Sequence, residues 1–592
     1  MNEEVWGNLL KDYKKEDKQE FLDCLRCGFK LTQNPNIQVD QGKKSYKLTI
    51  EEWRFVCDTI DEYTRPSKNC AWGGFGARDL LNNSMFIGHI IMPHFVDHKI
   101  REDGTEKLRV VTDATATIDG GRSFNHNISD EEKNVKYIHI IEVITMIVQY
   151  NLIYLIMADA VNAFNRVPID NNFIKYFGIQ IGKFVFFWTC LVFGGASSCN
   201  IYTWFASMLV WIISNQEPSL FMIDGVVILK NYLDDFITGN PILLVAWLQY
   251  YALLFWFNIL GVPTQVRKMQ IPTRIIKYIG FIINTIAWCL SVPWPKIEKT
   301  IFIGWSIIEL IDNNEKIEVK LMQSFVGIAR YMTPIYYYII PRLRNLEELY
   351  RGKGKHDKVR GNTEVRNDIL YVINILIDGN RNSISFNWLL YPKDKGDIIC
   401  ETDASGKIGM GGYELMNGGY SWKVNYNDIP EFNRDNPPDI LYLELLAVYV
   451  MMKVGSARWQ EKAVLFRCDN KPVVHMLIKK KSCFERKDCQ QLIRDICHTA
   501  MIDRFWFWEE WLSTLANLYA DGLSRFYLNI IDQIPYDLIN KDKEALYWAR
   551  EGIRTHNEAR KRMNRYKGDK KKCKCKRKDR CKEQPLYPRW KS

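Results

Sequence analysis

Two carboxylates stand side by side in Asn231-Tyr232-Leu233-Asp234-Asp235-Phe236, inside a largely apolar stretch. Val226 to Leu229 is aliphatic and a short polar break precedes Tyr232, so the spacing predicts a hairpin whose tight turn carries Asp234 and Asp235. Adjacent acids on a strand point to opposite faces, whereas on a turn they can converge. Converging, partly buried carboxylates are costly unless a cation lies between them, so a divalent metal is the economical reading; the bland one is a solvated turn. A third acid, Asp159, closes the apolar run Ile153-Tyr154-Leu155-Ile156-Met157-Ala158, which reads as a buried strand. Three carboxylates from a strand end and a hairpin turn are a ligand set for two-metal phosphoryl transfer.

Asp159 is followed five positions on by Phe164, then by Phe193-Gly194-Gly195-Ala196-Ser197-Ser198, then by Tyr232-Leu233-Asp234-Asp235. This order and spacing resembles the palm of a reverse transcriptase. The resemblance implies that Asp159, Asp234 and Asp235, with the backbone carbonyl of Ala160, hold two Mg²⁺ ions, Mn²⁺ being a possible substitute. It places Phe164 under the deoxyribose, where the ring would exclude a 2′-hydroxyl; the same ring could equally pack the core. Phe193 and Gly194 would line the template-base side, and Tyr232 would contact substrate beside the acids. Lys268 would stand near the leaving pyrophosphate as a general acid, its bland alternative being a solvent-facing lysine. Lys107-Leu108-Arg109-Val110-Val111-Thr112-Asp113, after a turn at Asp103-Gly104, is similar to the fingers strand that grips the nucleotide, with Arg109 on the triphosphate and Lys99 or Arg101 as second cation. Gly121-Arg122-Ser123-Phe124-Asn125 resembles most closely the retrotransposons of the DIRS type, which integrate with a tyrosine recombinase. Tyr278 to Ile282 looks like a primer grip. The helical period after Lys296, with Leu321, Phe325, Ile328 and Ala329 at core spacing, resembles a thumb on which Arg342, Arg344 and Lys353 either track phosphates or form a solvated face.

A second constellation begins with Ile398-Ile399-Cys400-Glu401-Thr402-Asp403-Ala404-Ser405 and Gly409-Met410-Gly411-Gly412-Tyr413. With Glu444 in an apolar helical run, Asp469 closing the strand that starts at Ala463, and Asp521 before Leu523-Ser524-Arg525, it resembles an RNase H domain. The resemblance implies that Asp403, Glu444, Asp469 and Asp521 bind two Mg²⁺ ions that activate water against an RNA phosphate. Trp511 stands where many members of that family carry a mobile histidine, with Glu509 or Glu510 as possible substitutes.

The expected architecture is a multidomain chain of α+β and α/β type: an N-terminal extension (1–85), fingers and palm (86–295), thumb and linker (296–362), connection (363–395), an RNase H-like domain (396–530), and a helical, then basic, disordered tail (531–592). The net charge of +11 lies in that tail: residues 551–592 hold 17 Lys/Arg against 5 Asp/Glu, leaving the rest close to neutral. A neutral body with a polycationic arm suits nucleic acid more than a small metabolite. The 15 cysteines lack regular spacing and no signal peptide stands at Met1, which predicts an intracellular location, cytoplasmic, nuclear or within a virus-like particle. The uncharged stretches 184–216 and 236–266 are read as buried palm helices and not membrane spans. Cys24 and Cys27 read as a structural pair on a helix, and Cys573, Cys575 and Cys581 with His556 do not form a zinc knuckle. The expected partners are an RNA template, a DNA primer, RNA–DNA hybrid and dNTPs, with an element-encoded structural protein and recombinase as further candidates; oligomeric state is open. The alternative from another class is a domesticated, non-catalytic nucleic-acid-binding protein, which predicts eroded carboxylates.

Overall fold

The run Tyr154–Asp159 forms a strand because its aliphatic residues are buried on both faces: Leu155, Ile156 and Ala158 have no exposed surface. In the computed structural model it lies inside a four-stranded sheet of order Gln270–Thr273, Tyr154–Asp159, Asp235–Asn240, Lys230–Tyr232. All residues are described except 1–2, 41–45, 67, 101–104, 118–120, 162, 263, 265–267, 484–485 and 573–592. The Asp103-Gly104 turn, Arg101 and the cysteines of the basic tail fall outside the described residues.

The chain divides into two units, Met1–Pro295 with Ser383–Leu390, and Lys296–Asn382 with Tyr391–Ser592. In the first, the helix Leu243–Ile259 packs on the central sheet through Ala246, Leu253 and Phe257. Described residues of the N-terminal segment are built into the same core, among them Phe21, Phe29, Val56 and Ile60: Trp6 is fully buried, donates its indole N–H to the Leu260 carbonyl at 3.2 Å and lies 5.3 Å from the Phe205 ring. Cys24 and Cys27 lie on the helix Lys15–Cys27 as free thiols. A three-stranded sheet (Ala71–Phe75, Phe184–Trp188, Gly178–Ile181) and the hairpin His94–Ile100 with Glu106–Thr112 complete one side. A further sheet runs Ile275–Tyr278, Phe281–Asn284, Cys289–Ser291, and ends on Ser383–Ser385, a strand supplied by the returning chain.

The second unit is built on a six-stranded mixed sheet of order Trp506–Trp511, Ala463–Cys468, Ile398–Ala404, Gly409–Glu414, Gly419–Asn425, Leu538–Asn540. The helix Ile440–Gly455 is buried along nearly its whole length. Together with its short extension to Arg458 it is, among the described residues, the one helix long and apolar enough to cross a membrane, and 78% of it lies within the protein.

Sequence and structure differ in detail at several places. The aliphatic run before the acids splits: Val226–Val227 pairs with Met222–Ile223, and Lys230–Tyr232 is the strand that enters the acid turn. The core stripe of the helix Val319–Tyr331 is Met322, Phe325, Val326 and Ala329; Leu321 and Ile328 are only partly buried. The segment expected to begin helical also supplies a strand and docks on the second unit: Leu538–Asn540 pairs in parallel with Gly419–Asn425, and the helix Asp542–Lys572 buries Ala545, Ala549, Ile553 and His556.

Candidate active sites

In the first unit the strand register decides the arrangement. Asp235 pairs directly opposite Asp159, and residues directly opposite on antiparallel strands project to one face. Asp234 occupies the turn and Asp235 opens the strand, so only one of the two acids is a turn residue. The turn is held in place: the Ala160 N–H donates to the Asp234 carbonyl at 3.0 Å, the Tyr278 hydroxyl donates to the Asp235 carbonyl at 3.2 Å, and Leu233 adopts a left-handed φ of 51°. Lys268 Nζ lies 2.9 and 3.1 Å from the two Asp159 carboxylate oxygens.

These groups open onto a cavity of about 560 Å³, lined by Arg109, Asp159, Ala160, Phe164, Phe193, Asp234 and Lys268 among others. The Phe164 and Phe193 rings are 5.1 Å apart, and the Arg109 guanidinium lies 5.5 Å from the Phe193 ring centre. Phe193 is fixed from behind. Its carbonyl accepts the Thr112 N–H at 3.0 Å, while the Asn125 side chain donates to the Gly194 carbonyl and accepts the Ala196 N–H, each at 2.9 Å. Gly194 has φ 108°, and a Cβ there would meet the Thr112 carbonyl oxygen at 1.9 Å, so only glycine lets the turn close on the neighbouring strand. Lys99, Gly194, Tyr232 and Asp235 are not among the residues lining the cavity. Tyr232 stacks on Tyr137 at 4.8 Å, and Lys99 sits across the hairpin from Lys107.

In the second unit Asp403 comes from the strand Ile398–Ala404, Glu444 from the buried helix, and Asp469 from the residue after Ala463–Cys468. Carboxylate oxygens of these three lie within 4.8 Å of one another. The Ser524 hydroxyl donates to Asp403, and the Thr514 hydroxyl donates to Asp469 at 2.8 Å. The fourth predicted acid, Asp521, lies outside the triad and accepts from Arg525 Nε at 2.6 Å. Trp511 donates its indole N–H to the Asp469 carbonyl at 2.9 Å, and Lys471 Nζ lies 4.2 Å from its ring centre. Glu510 is held by Arg467 at 2.7 Å and Glu509 faces Lys480 at 3.7 Å, so neither stands ready to replace a histidine.

Acids in both clusters are disfavoured in their charged form. Burial, followed by the neighbouring Asp234 and Asp159 charges, pushes Asp235 up to about 7, and burial raises Asp234 as well. Burial pushes Asp403 up to about 6 despite the Ser524 hydrogen bond, and burial with the Asp403 and Asp469 charges raises Glu444 well above its ordinary range. Glu444 Oε2 is buried with no hydrogen-bond partner among the described residues. In the second unit the crowded carboxylate oxygens fit a divalent ion such as Mg²⁺, whereas in the first Lys268 already supplies a counter-charge to Asp159.

No family model and no curated protein matches the sequence. Solved structures of the foamy viral protease-reverse transcriptase are similar to this chain. The RNA/DNA hybrid complex is 12% identical with a TM-score of 0.40, covering 88% of this chain and 86% of that one. The dsDNA complex is 13% identical with a TM-score of 0.42, covering 86% and 97%. The dRH form with ds DNA is 14% identical with a TM-score of 0.43, covering 86% and 81%. Likeness at this level says nothing about activity.

Several residues at the first site have no counterpart in the sequence-level expectation. Thr59, Glu62 and Tyr63, from the helix Ile50–Thr64, line the cavity together with Lys107. Nothing local marks them, because their role comes from packing across the unit. Arg342 and Arg344, candidates for phosphate contacts, are engaged within the protein: Arg342 pairs with the buried Asp368 at 3.0 Å and Arg344 with Glu348 at 3.4 Å. His556, weighed as a zinc ligand, is buried against Asp488 at 3.2 Å.

Proposed function

We propose that this chain is an RNA-directed DNA polymerase with a second, ribonuclease H-type site. In this reading the first unit carries fingers and palm, and the second a thumb followed by an RNase H-like fold. The observation that carries it is the pair of separate carboxylate clusters, one at a strand-and-turn register and one at a strand, helix and strand junction. A non-catalytic binder has no need to keep both, and all seven acids are present.

Divalent ions held by Asp159, Asp234 and Asp235, and by Asp403, Glu444 and Asp469, would lower the pKa of an attacking hydroxyl or water and neutralise charge on the phosphates. The chain's own residues do the positioning. Arg109 offers a planar guanidinium to a triphosphate at the cavity wall. Phe164, braced against Phe193, presents a flat surface to a deoxyribose and leaves no room for a 2′-hydroxyl. Lys268, on a flexible stem, can leave Asp159 for the charge developing on a departing pyrophosphate. In the second unit Trp511 and Lys471 flank Asp469, where a cleaved strand would pass. The substrates are an RNA template, a DNA primer, the hybrid they form and dNTPs. A retroelement of the DIRS type, acting inside the cell, is the source this reading favours.

The decisive test is dNTP incorporation on a DNA-primed RNA template with Mg²⁺, comparing the natural chain with a folded Asp234→Asn/Asp235→Asn variant. Incorporation by the first and background by the second supports the polymerase; tight hybrid binding without incorporation by either overturns it.

A further inference from the structure

The helix Leu243–Ile259 inverts the usual arrangement of a surface helix. It contains no charged residue, and its glutamine, Gln249, is fully buried, donating to the carbonyls of Leu220 and Gly239 at 2.6 and 3.2 Å. Many of its large apolar residues face outward, although Leu253 and Phe257 are buried. Leu244 is 70% exposed, Leu248 50%, Tyr251 61%, Phe255 56% and Ile259 44%, with Ile242 and Leu243 continuing the patch at its start. The spacing of four, three, four and four residues lays these five side chains along one stripe of the helix. The opposite face is already used to pack the central sheet, so the stripe is surplus to the fold. Scattered exposed leucines are ordinary, whereas a continuous apolar strip without charge marks a contact surface.

We propose that this stripe is the interface of a homodimer in which two copies of the helix pack antiparallel across a two-fold axis. Three observations select a second copy of this chain. First, the stripe matches itself when reversed: Leu244 comes to lie opposite Ile259 of the other copy, Leu248 opposite Phe255, and Tyr251 falls beside the axis. An isologous contact needs such self-complementarity. Second, a near-heptad spacing is the pattern by which paired helices interdigitate, and the antiparallel arrangement also sets their macrodipoles favourably. Third, at about 200 Å² for each large side chain the exposed fractions of the five stripe residues sum to roughly 560 Å² per copy, and Ile242 and Leu243 bring the patch to roughly 770 Å², close to the ~800 Å² each partner contributes to a standard stable interface. A membrane surface is the poorer match. Helices that lie on lipid carry Lys or Arg on their polar face, and this one has none. The inference is independent of the proposed activity.

Sedimentation velocity of the full chain at low micromolar concentration tests it. The natural chain is expected to sediment as a dimer. A Leu248→Lys/Phe255→Lys variant, with unchanged circular dichroism, is expected to be monomeric, with dissociation shifted at least tenfold, because closing the interface would bury two unpaired ammonium groups per copy. Primer extension should not change, since neither residue touches the cavity. Direction is read by cross-linking. Positions 248 and 255 are about 10 Å apart along one helix, too far for an internal disulfide. A Leu248→Cys/Phe255→Cys variant should therefore form a covalent dimer, with mass spectrometry finding the linkage between the two substituted positions. A natural chain that stays monomeric, a dimer that survives the lysine substitutions, or a Leu248→Cys variant that links to itself would each overturn the proposal. So would a monomeric chain that floats with neutral lipid vesicles through this face.

Discussion

Phe164 is the residue whose role is easiest to isolate. It is braced by Phe193 and by Tyr202, whose ring lies 5.6 Å away, so its position is fixed before any substrate binds. Phe164→Ala is expected to cut discrimination against ribonucleotides by about tenfold or more, the scale set by a single steric contact, with little change in dNTP turnover. Unchanged sugar selectivity would make the ring purely structural. The acids give a sharper pair of expectations. Asp235→Asn should remove DNA synthesis and spare RNA cleavage in a preformed hybrid, and Asp403→Asn should do the converse; loss of both activities from either substitution in a folded chain would refute separate sites. Asp235 and Asp403 also set a pH dependence. Their folded values lie above the ordinary carboxylate range, so the stability they lend is full at low pH and is lost as pH rises through about 6 to 7. Without divalent ions the thermal midpoint should therefore fall between about pH 5 and pH 8, and Mg²⁺ should raise it most at the upper end. A midpoint that ignores both pH and Mg²⁺ would argue against cation sites. Much of this was legible in the sequence, because carboxylates closing apolar runs have few other reasons to be there. Asp521 adds its charge to Asp403 and Glu444 while accepting a hydrogen bond from Arg525, a partner four residues away that spacing alone does not single out.

At the scale of elements, long-range packing sets what local pattern cannot. The helix Asp542–Lys572 is anchored by a buried ionic knot in which Asp488 meets Arg486 at 3.0 Å and His556 at 3.2 Å, while the Tyr442 hydroxyl donates to the Gly552 carbonyl at 2.7 Å. Those hydrogen bonds and the Arg486 charge overcome the effect of burial and hold Asp488 well below the usual carboxylate range. Removing that charge leaves His556 facing a neutral amide and Arg486 paired only with the exposed Asp439 at 2.8 Å, so Asp488→Asn should destabilise the second unit by about 2 kcal/mol, read by chemical denaturation; a loss under about 1 kcal/mol would make the knot incidental. From sequence the start of this segment read as helical, but its positive charge drowns the weak stripe of Ala545, Ala549 and Ile553, so its docking on the second unit was not legible. The helix Leu243–Ile259 failed in the opposite sense. A segment apolar on every side has no period to read, so burial was the natural expectation for both faces, and only one is buried. The contribution of residues 1–85 was hidden for a third reason: the hydrogen bond from Trp6 to Leu260 joins positions 254 apart, and no local pattern encodes that distance.

For the whole molecule, charge and chain path matter most. The surplus positive charge sits at the C-terminal end, so removing residues 573–592 should flatten the dependence of template binding on salt while single-turnover chemistry stays as it was. An unchanged slope would exclude that segment as a phosphate contact. The chain path has a temporal consequence. Ser383–Ser385 forms the last strand of a sheet whose other members end at Ser291, so the first unit cannot close that edge until the ribosome has passed through Lys296–Asn382, the first segment of the second. Synthesis from residue 295 to residue 390 takes roughly 5–20 s at about 5–20 residues per second. Through that interval the Cys289–Ser291 strand, paired on one side with Phe281–Asn284, waits with its other edge open, a site where a nascent chain is exposed to mispairing or to a chaperone. A gene cut after Pro295 would make the wait permanent.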